Sequence, residues 1–228
     1  MIFKPPLLLA LFLSREVFAY TRTSVWNVLD HGVLGDGLED DTAALQGVLN
    51  VVPPGSVVVV PAGRVVVTGP LTVRQDGITL QIDGILQAWD VVAITLDEIW
   101  PRLPPLPTYG DSRDAGQLLQ YQALIFVTNV TNLRITGCGK IDGRGQPWWD
   151  AIQFNRSLLR AGRPNLIQIV NSSGIEIDSV TLQDAAFWTL HPVLSQSIHI
   201  HHITIRAPLY APNVDGIDPE YVPTVHVT

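Results

Sequence analysis

The sequence predicts an all-β fold, a parallel β-helix closed at its N-terminal side by one capping α-helix. Three observations predict it. Short Val- and Ile-rich runs dominate after residue 55, such as "SVVVV", "RVVVT", "GITLQIDGIL", "ALIFV" and "LRIT". Their apolar alternation changes phase within single runs, and the pattern returns after a fixed number of residues.

The phase change is the more telling of the two rhythms. In "IEIDSVTL", Ile175 and Ile177 alternate toward one face, and the next apolar pair, Val180 and Leu182, is out of phase by one. Ile198 and Ile200 are followed in the same way by Ile203 and Ile205, and Ile82 by Ile85. A flat strand cannot keep both pairs inward across a three-residue step, because side chains alternate faces. A strand that turns a corner into a second sheet can. From Ile177 to Ile200 is 23 residues and from Ile200 to Val227 is 27, the size of one coil with two or three short strands. The rival all-β reading, an antiparallel sandwich, lacks its hairpin-turn signals.

The remaining elements follow in chain order. Lys4, the apolar run Leu7 to Leu13 and the Val17-Phe18-Ala19 cleavage pattern predict a signal peptide over 1–19 and secretion, with the β-helix domain over 20–228. The sequons at Asn129, Asn155 and Asn171 agree with an extracellular, glycosylated protein. In "DGLEDDTAALQGVLNVV", Leu45, Val48, Leu49 and Val52 share one helical face, Asp40 or Asp41 can cap, and Pro53-Pro54-Gly55 ends the helix, which is placed at 41–52 to cover the open first coil. Cys138, three residues after Ile135, is expected to be a buried small hydrophobe, and a single cysteine excludes an intrachain disulfide.

Bulk properties narrow the function. With 228 residues, 46% of them hydrophobic, the chain can bury one sizeable core. Mean hydropathy is +0.24, yet no apolar run reaches the ~20 residues of a membrane span. A formal charge of −7 argues against nucleic acid and anionic membranes as partners, and an acidic substrate would need a local basic cluster.

Several clusters resemble chemical sites. Asp36, Glu39, Asp40 and Asp41 lack calcium-loop spacing and suit turns and a helix cap. The glycines of "GCGKIDGRGQPWWD" match neither a phosphate loop nor a dinucleotide fingerprint, and suit tight bends beside a stack of coils; Trp148 and Trp149 suit either a sugar ring or burial. His199, His201 and His202 need not converge, so no metal site is assigned. Trp188 and His191 in "FWTLHP" suit either a groove or packing. In "APNVDGIDPE", Asp215, Asp218 and Glu220 place carboxylates on a loop beside a rigid stack. Inverting cleavage of a glycosidic bond needs one carboxylic acid and a carboxylate-bound water across the bond.

These blocks, with "WNVLDHGVLGDGLEDDTAALQ", "WPRLPPLPTYGDSRD", "RPNLIQIVNSSGIEI" and "FWTLHPV", make the chain from about Trp26 to Thr228 similar to the polygalacturonase family (glycoside hydrolase family 28), in its plant-type branch. The resemblance implies a right-handed parallel β-helix, inverting hydrolysis of α-1,4 links in polygalacturonate, a pectic polysaccharide partner, no cofactor and a cell-wall setting; a monomer is expected. It makes Asp215 a catalytic aspartate that positions the attacking water. Here Val214 replaces the family's threonine in Asn-Thr-Asp-Gly. Asn213, Asp218 and His191 become candidate substrate contacts. The family's Asp-Asp pair, with its general acid, is expected one coil further on, near residue 238, followed by Gly-His-Gly and Arg-Ile-Lys. The chain is therefore expected to be the N-terminal part of such a solenoid, with little turnover alone. Two other readings stay open on the residues: a calcium-dependent pectate-lyase-type eliminase, and a non-catalytic cell-wall polysaccharide binder.

Overall fold

The computed structural model describes residues 23–90, 100–103 and 119–228; the predicted signal peptide lies outside them. Three parallel sheets form the walls of a solenoid. Sheet 1 has seven strands: Val25–Asn27, Val57–Val60, Thr79–Ile82, Thr131–Thr136, Ser173–Asp178, Gln196–His201 and Val225–Val227. Sheet 2 has six: Asp36–Asp40, Val65–Thr68, Ile85–Ala88, Lys140–Asp142, Thr181–Gln183 and Thr204–Arg206. Sheet 3 has four: Leu71–Val73, Ile125–Thr128, Ile167–Val170 and Leu190–Val193. Each coil runs from sheet 3 to sheet 1 to sheet 2, with the right-handed sense that parallel crossovers take.

Stacking in register builds the core from columns of aliphatic side chains. Val58, Leu80, Ile135, Ile177, Ile200 and Val227 form one column, so the intervals read from the sequence are true coil lengths. Leu86, Ile141, Leu182 and Ile205 form the matching column of sheet 2. Each buried rung contributes roughly 1.5–3 kcal/mol of transfer free energy.

The corner between sheets 1 and 2 corrects two expectations. The inward step is five residues from Ile177 to Leu182 and from Ile200 to Ile205, but six from Leu80 to Leu86 and from Ile135 to Ile141. The earlier corners hold one extra residue. Val180 is therefore buried as predicted, whereas Ile85 is only half-buried and Leu86 takes the inward place. Cys138, predicted to be buried, is exposed, because Gly139 rather than Cys138 aligns with Val180. Glycine is required there: a Cβ on Gly139 would overlap the carbonyl oxygen of Gly84 in the coil below.

The corner between sheets 3 and 1 is made by single residues with positive φ: Asn129 (55°), Asn171 (49°), Leu194 (49°) and Tyr221 (51°). Asn171 Nδ2 donates to Asn129 Oδ1 at 2.6 Å, so two of the three sequon asparagines form a stacked, hydrogen-bonded turn.

Helix α1, Thr42–Val51, covers the free edge of sheet 3. Leu45, Val48 and Leu49 face the core, and the Gln46 amide both accepts from Thr72 N (2.8 Å) and donates to Thr72 O (2.9 Å), standing in for a strand. The acidic run serves turns and the helix start: Asp41 accepts from Leu34 N and Gly35 N, Asp36 from Leu38 N and Glu39 N, and Asp40 from Thr42 N. Helix α2, Gln146–Phe154, starts with proline in its first turn and buries Trp148 and Trp149, so both tryptophans are packing residues. Trp148 packs edge-on between Trp100 and Tyr121. Among the described residues no helix is long and apolar enough to cross a membrane.

Candidate active site

After Arg206 the chain leaves the stack and returns at Asp215 onto the edge of sheet 3. Thr189 N donates to Asp215 O (2.9 Å) and Leu190 N to Gly216 O (3.1 Å); Asp218 N donates to Leu190 O (2.8 Å) and Glu220 N to Pro192 O (2.9 Å). Leu190 pairs in parallel with Ile217, and Val193 with Glu220. The segment thus continues sheet 3 by one strand. Alternation then sends Ile217 toward the core and sets Asp218 on the outer column that already holds Phe126, Gln168 and His191.

Asp215 is exposed and Asp218 half-buried. Burial first, and then the charge of Asp215, raises the carboxyl of Asp218 above the ordinary range. His191 is fully buried beneath them. The amides of Asn165 (3.2 Å) and Gln168 (3.1 Å) both reach its Nδ1. An amide nitrogen can only donate, which puts the ring proton on Nε2, 3.4 Å from Glu220 Oε2. Burial lowers the His191 pKa, with Glu220 opposing, so the ring is neutral at pH 7. Trp188 packs edge-on against it, ring centroids 4.8 Å apart.

Besides the 3.4 Å contact of His191 Nε2 with Glu220 Oε2, three further buried side-chain atoms here, Asn165 Oδ1, Thr189 Oγ1 and Asp218 Oδ2, have no hydrogen-bond partner among the described residues. Buried polar atoms are nearly always paired, because leaving one unpaired costs about 1–3 kcal/mol. Their gathering around one loop makes this the candidate site.

The structure places the four residues singled out in the sequence as follows. Asp215 and Asp218 lie on the loop. Asn213 begins it, with φ of 56°. His191 lies under it rather than on the exposed surface. Trp188 is half-buried. Arg163, Asn165, Gln168 and Thr189 were missed. The available signal was in "RPNLIQIV", where polar residues interrupt a strand whose four residues are all buried.

A second titratable group lies on the outer face of sheet 1. Oxygen and nitrogen atoms of Glu176, Asp178 and His201 lie within 4.8 Å of one another. Arg134 Nε already sits 2.7 Å from Asp178, and Thr136 and Ser179 each donate to it. This is a satisfied ion-pair network.

Comparison with known proteins fits the geometry. The sequence profile of glycosyl hydrolases family 28 matches residues 54–228. The chain is 37% identical over 201 residues to a probable polygalacturonase of Vitis vinifera, covering 85% of this chain and 39% of that protein. It is 30% identical over 191 residues to an endo-polygalacturonase of Pectobacterium carotovorum subsp. carotovorum, covering 78% and 45%. Among solved structures, the polygalacturonase of Erwinia carotovora ssp. carotovora superposes with a TM-score of 0.66 at 27% identity, covering 90% of this chain and 54% of that one. The chain spans less than half the length of these two curated relatives. The family match extends over most of the chain and takes in the carboxylate loop, and the chain belongs to glycosyl hydrolases family 28.

Proposed function

We propose that the protein hydrolyses α-1,4-galacturonosidic bonds of polygalacturonate with inversion, and that Asp215 and Asp218 hold the attacking water. The observation that carries this reading is the carboxylate pair itself. Asp218 is half-buried, its pKa raised by burial and by Asp215, on the outer column of a rigid sheet in a family 28 chain. A carboxylate whose proton affinity is raised is a better base for a water proton near neutral pH. Asp215, exposed and anchored through its carbonyl to Thr189, presents its charge to the same water. The water attacks the anomeric carbon, giving its proton to Asp218, as the glycosidic oxygen leaves with a proton from a general acid on the opposite side of the bond, the role that the family resemblance gives to the Asp-Asp pair expected near residue 238. Asn213 lies at the entrance of the loop. His191 supports Glu220 from below as a neutral ring.

A protein that includes the coil expected near residue 238 is expected to release reducing ends from polygalacturonate, the new end appearing first as the β-anomer in proton NMR, and residues 1–228 alone are expected to release few. Absence of reducing ends at every pH from 4 to 7 would overturn the reading. Appearance of the α-anomer first would overturn inversion, and unsaturated products would point to elimination.

We infer further that the protein is secreted into the cell wall. Exposed sequons support this, and they differ in kind. Asn155 follows α2 free of any stacked partner among the asparagines, whereas Asn129 and Asn171 are bonded to each other. Glycan is therefore expected at Asn155, and at no more than one of Asn129 and Asn171 in any molecule, as glycopeptide mass spectrometry would read.

A further inference from the structure

Arg163 lies four residues before the start of the sheet 3 strand Ile167–Val170, and its side chain is fully buried. It touches three successive coils. It sits in one, donates from Nη1 to Ala186 O in the next (3.0 Å), and reaches the loop of the third through Nη1 to Pro212 O (2.9 Å) and Nη2 to Asn213 Oδ1 (2.9 Å). Its Cζ lies 4.9 Å from the centroid of the Phe187 ring.

Burying a guanidinium costs several kcal/mol, and a well-packed apolar side chain would bridge three coils without that cost. The planar fork does something an apolar side chain or a lysine cannot. It bonds in two directions at once and fixes the angle between its acceptors. Two of those acceptors, Pro212 and Asn213, lie three and two residues before Asp215. Asn213 has the left-handed conformation that asparagine tolerates, and what Arg163 fixes is its side-chain amide.

We propose that Arg163 is a positioning residue for the reaction: by gripping Pro212 and Asn213 it fixes the start of the loop and hence the separation of Asp215 from Asp218. This rests on the reading of Asp215 and Asp218 given above. Two of its readouts do not depend on turnover.

The test uses Arg163→Met and Arg163→Lys in the full protein. Hydrogen exchange of peptides covering residues 209–219 is expected to quicken tenfold or more in both, while strands Ser173–Asp178 and Gln196–His201 stay protected. Lysine should not restore protection, because a point charge lacks the fork. The Asp218 carboxyl, followed by carbon NMR, should titrate closer to the ordinary range as Asp215 moves away. On polygalacturonate, kcat should fall at least tenfold with KM within about twofold. Unchanged loop exchange and an unchanged Asp218 titration in a folded variant would overturn the proposal. Should neither variant fold, Asn213→Ala removes one acceptor while leaving Arg163 in place, and unchanged loop exchange there also overturns it. If the parent protein does not hydrolyse polygalacturonate, the proposed function fails while the exchange and titration results still decide the role of Arg163.

Discussion

Two groups of carboxylates on this solenoid have opposite electrostatic characters. On sheet 1, burial disfavours the charge of Asp178, but hydrogen bonds from Arg134, Thr136 and Ser179 outweigh it and hold the pKa at about 2. On the edge of sheet 3, burial of Asp218 is left uncompensated, and the neighbouring charge of Asp215 adds to it. The first group is stabilised as it stands; the second would be relieved by a proton or a bound ligand. Proximity of acids alone therefore does not make a site. What distinguishes them is whether the surrounding donors already satisfy the charge.

The largest effect that sharpens this contrast is kinetic. Asp215→Asn is expected to lower turnover on polygalacturonate by about a thousandfold or more, with little change in melting temperature. Asp178→Asn should do the reverse. It leaves turnover intact and costs about 1–2 kcal/mol, discounted because Arg134 is half exposed, or roughly 3–6 °C by calorimetry. Equal kinetic losses in the two variants would erase the distinction.

The same pair gives opposite pH dependences. The folded-state pKa of Asp178 lies below its unfolded value, so its stabilisation is present above about pH 4 and is lost as the pH falls toward about 2. Acid unfolding of Asp178→Asn should show a shallower slope in that window, measured by circular dichroism. The buried neutral His191 adds a separate loss beginning near pH 6.5, its unfolded value, because the unfolded state takes up the proton first.

Smaller effects test whether the regions are separable. Leu194 occupies the left-handed corner position that Asn129 and Asn171 hold in the coils below. Leu194→Asn should stabilise by roughly 0.5–1 kcal/mol in denaturant titrations without changing activity. Asp218→Asn should stabilise by only a few tenths of a kcal/mol at pH 7, because screening weakens the repulsion it relieves. That gain should shrink as the pH falls through the raised pKa, where the native carboxyl is already protonated.

The coil was legible in the sequence because parallel stacking repeats the same inward positions, so Ile177, Ile200 and Val227 announce their column by spacing alone. The corners were less so. One extra residue before Ile141 moved Cys138 to the surface, and apolar spacing cannot reveal an inserted residue that faces water. The carboxylate loop was readable as a motif. Its support was not: Gln168 sits on an outward strand position and Arg163 and Asn165 precede that strand, yet all three are buried. Sequence periodicity reports which face a side chain takes, not what covers that face.

The central claim, that Asp215 and Asp218 form a coupled pair poised for reaction, is tested most directly by titrating the Asp218 carboxyl with carbon NMR, with and without Asp215→Asn. The account predicts a pKa above the ordinary carboxylate range that falls when the Asp215 charge is removed, burial keeping part of the elevation. An Asp218 that titrates in the ordinary range, unmoved by Asp215→Asn, would contradict it.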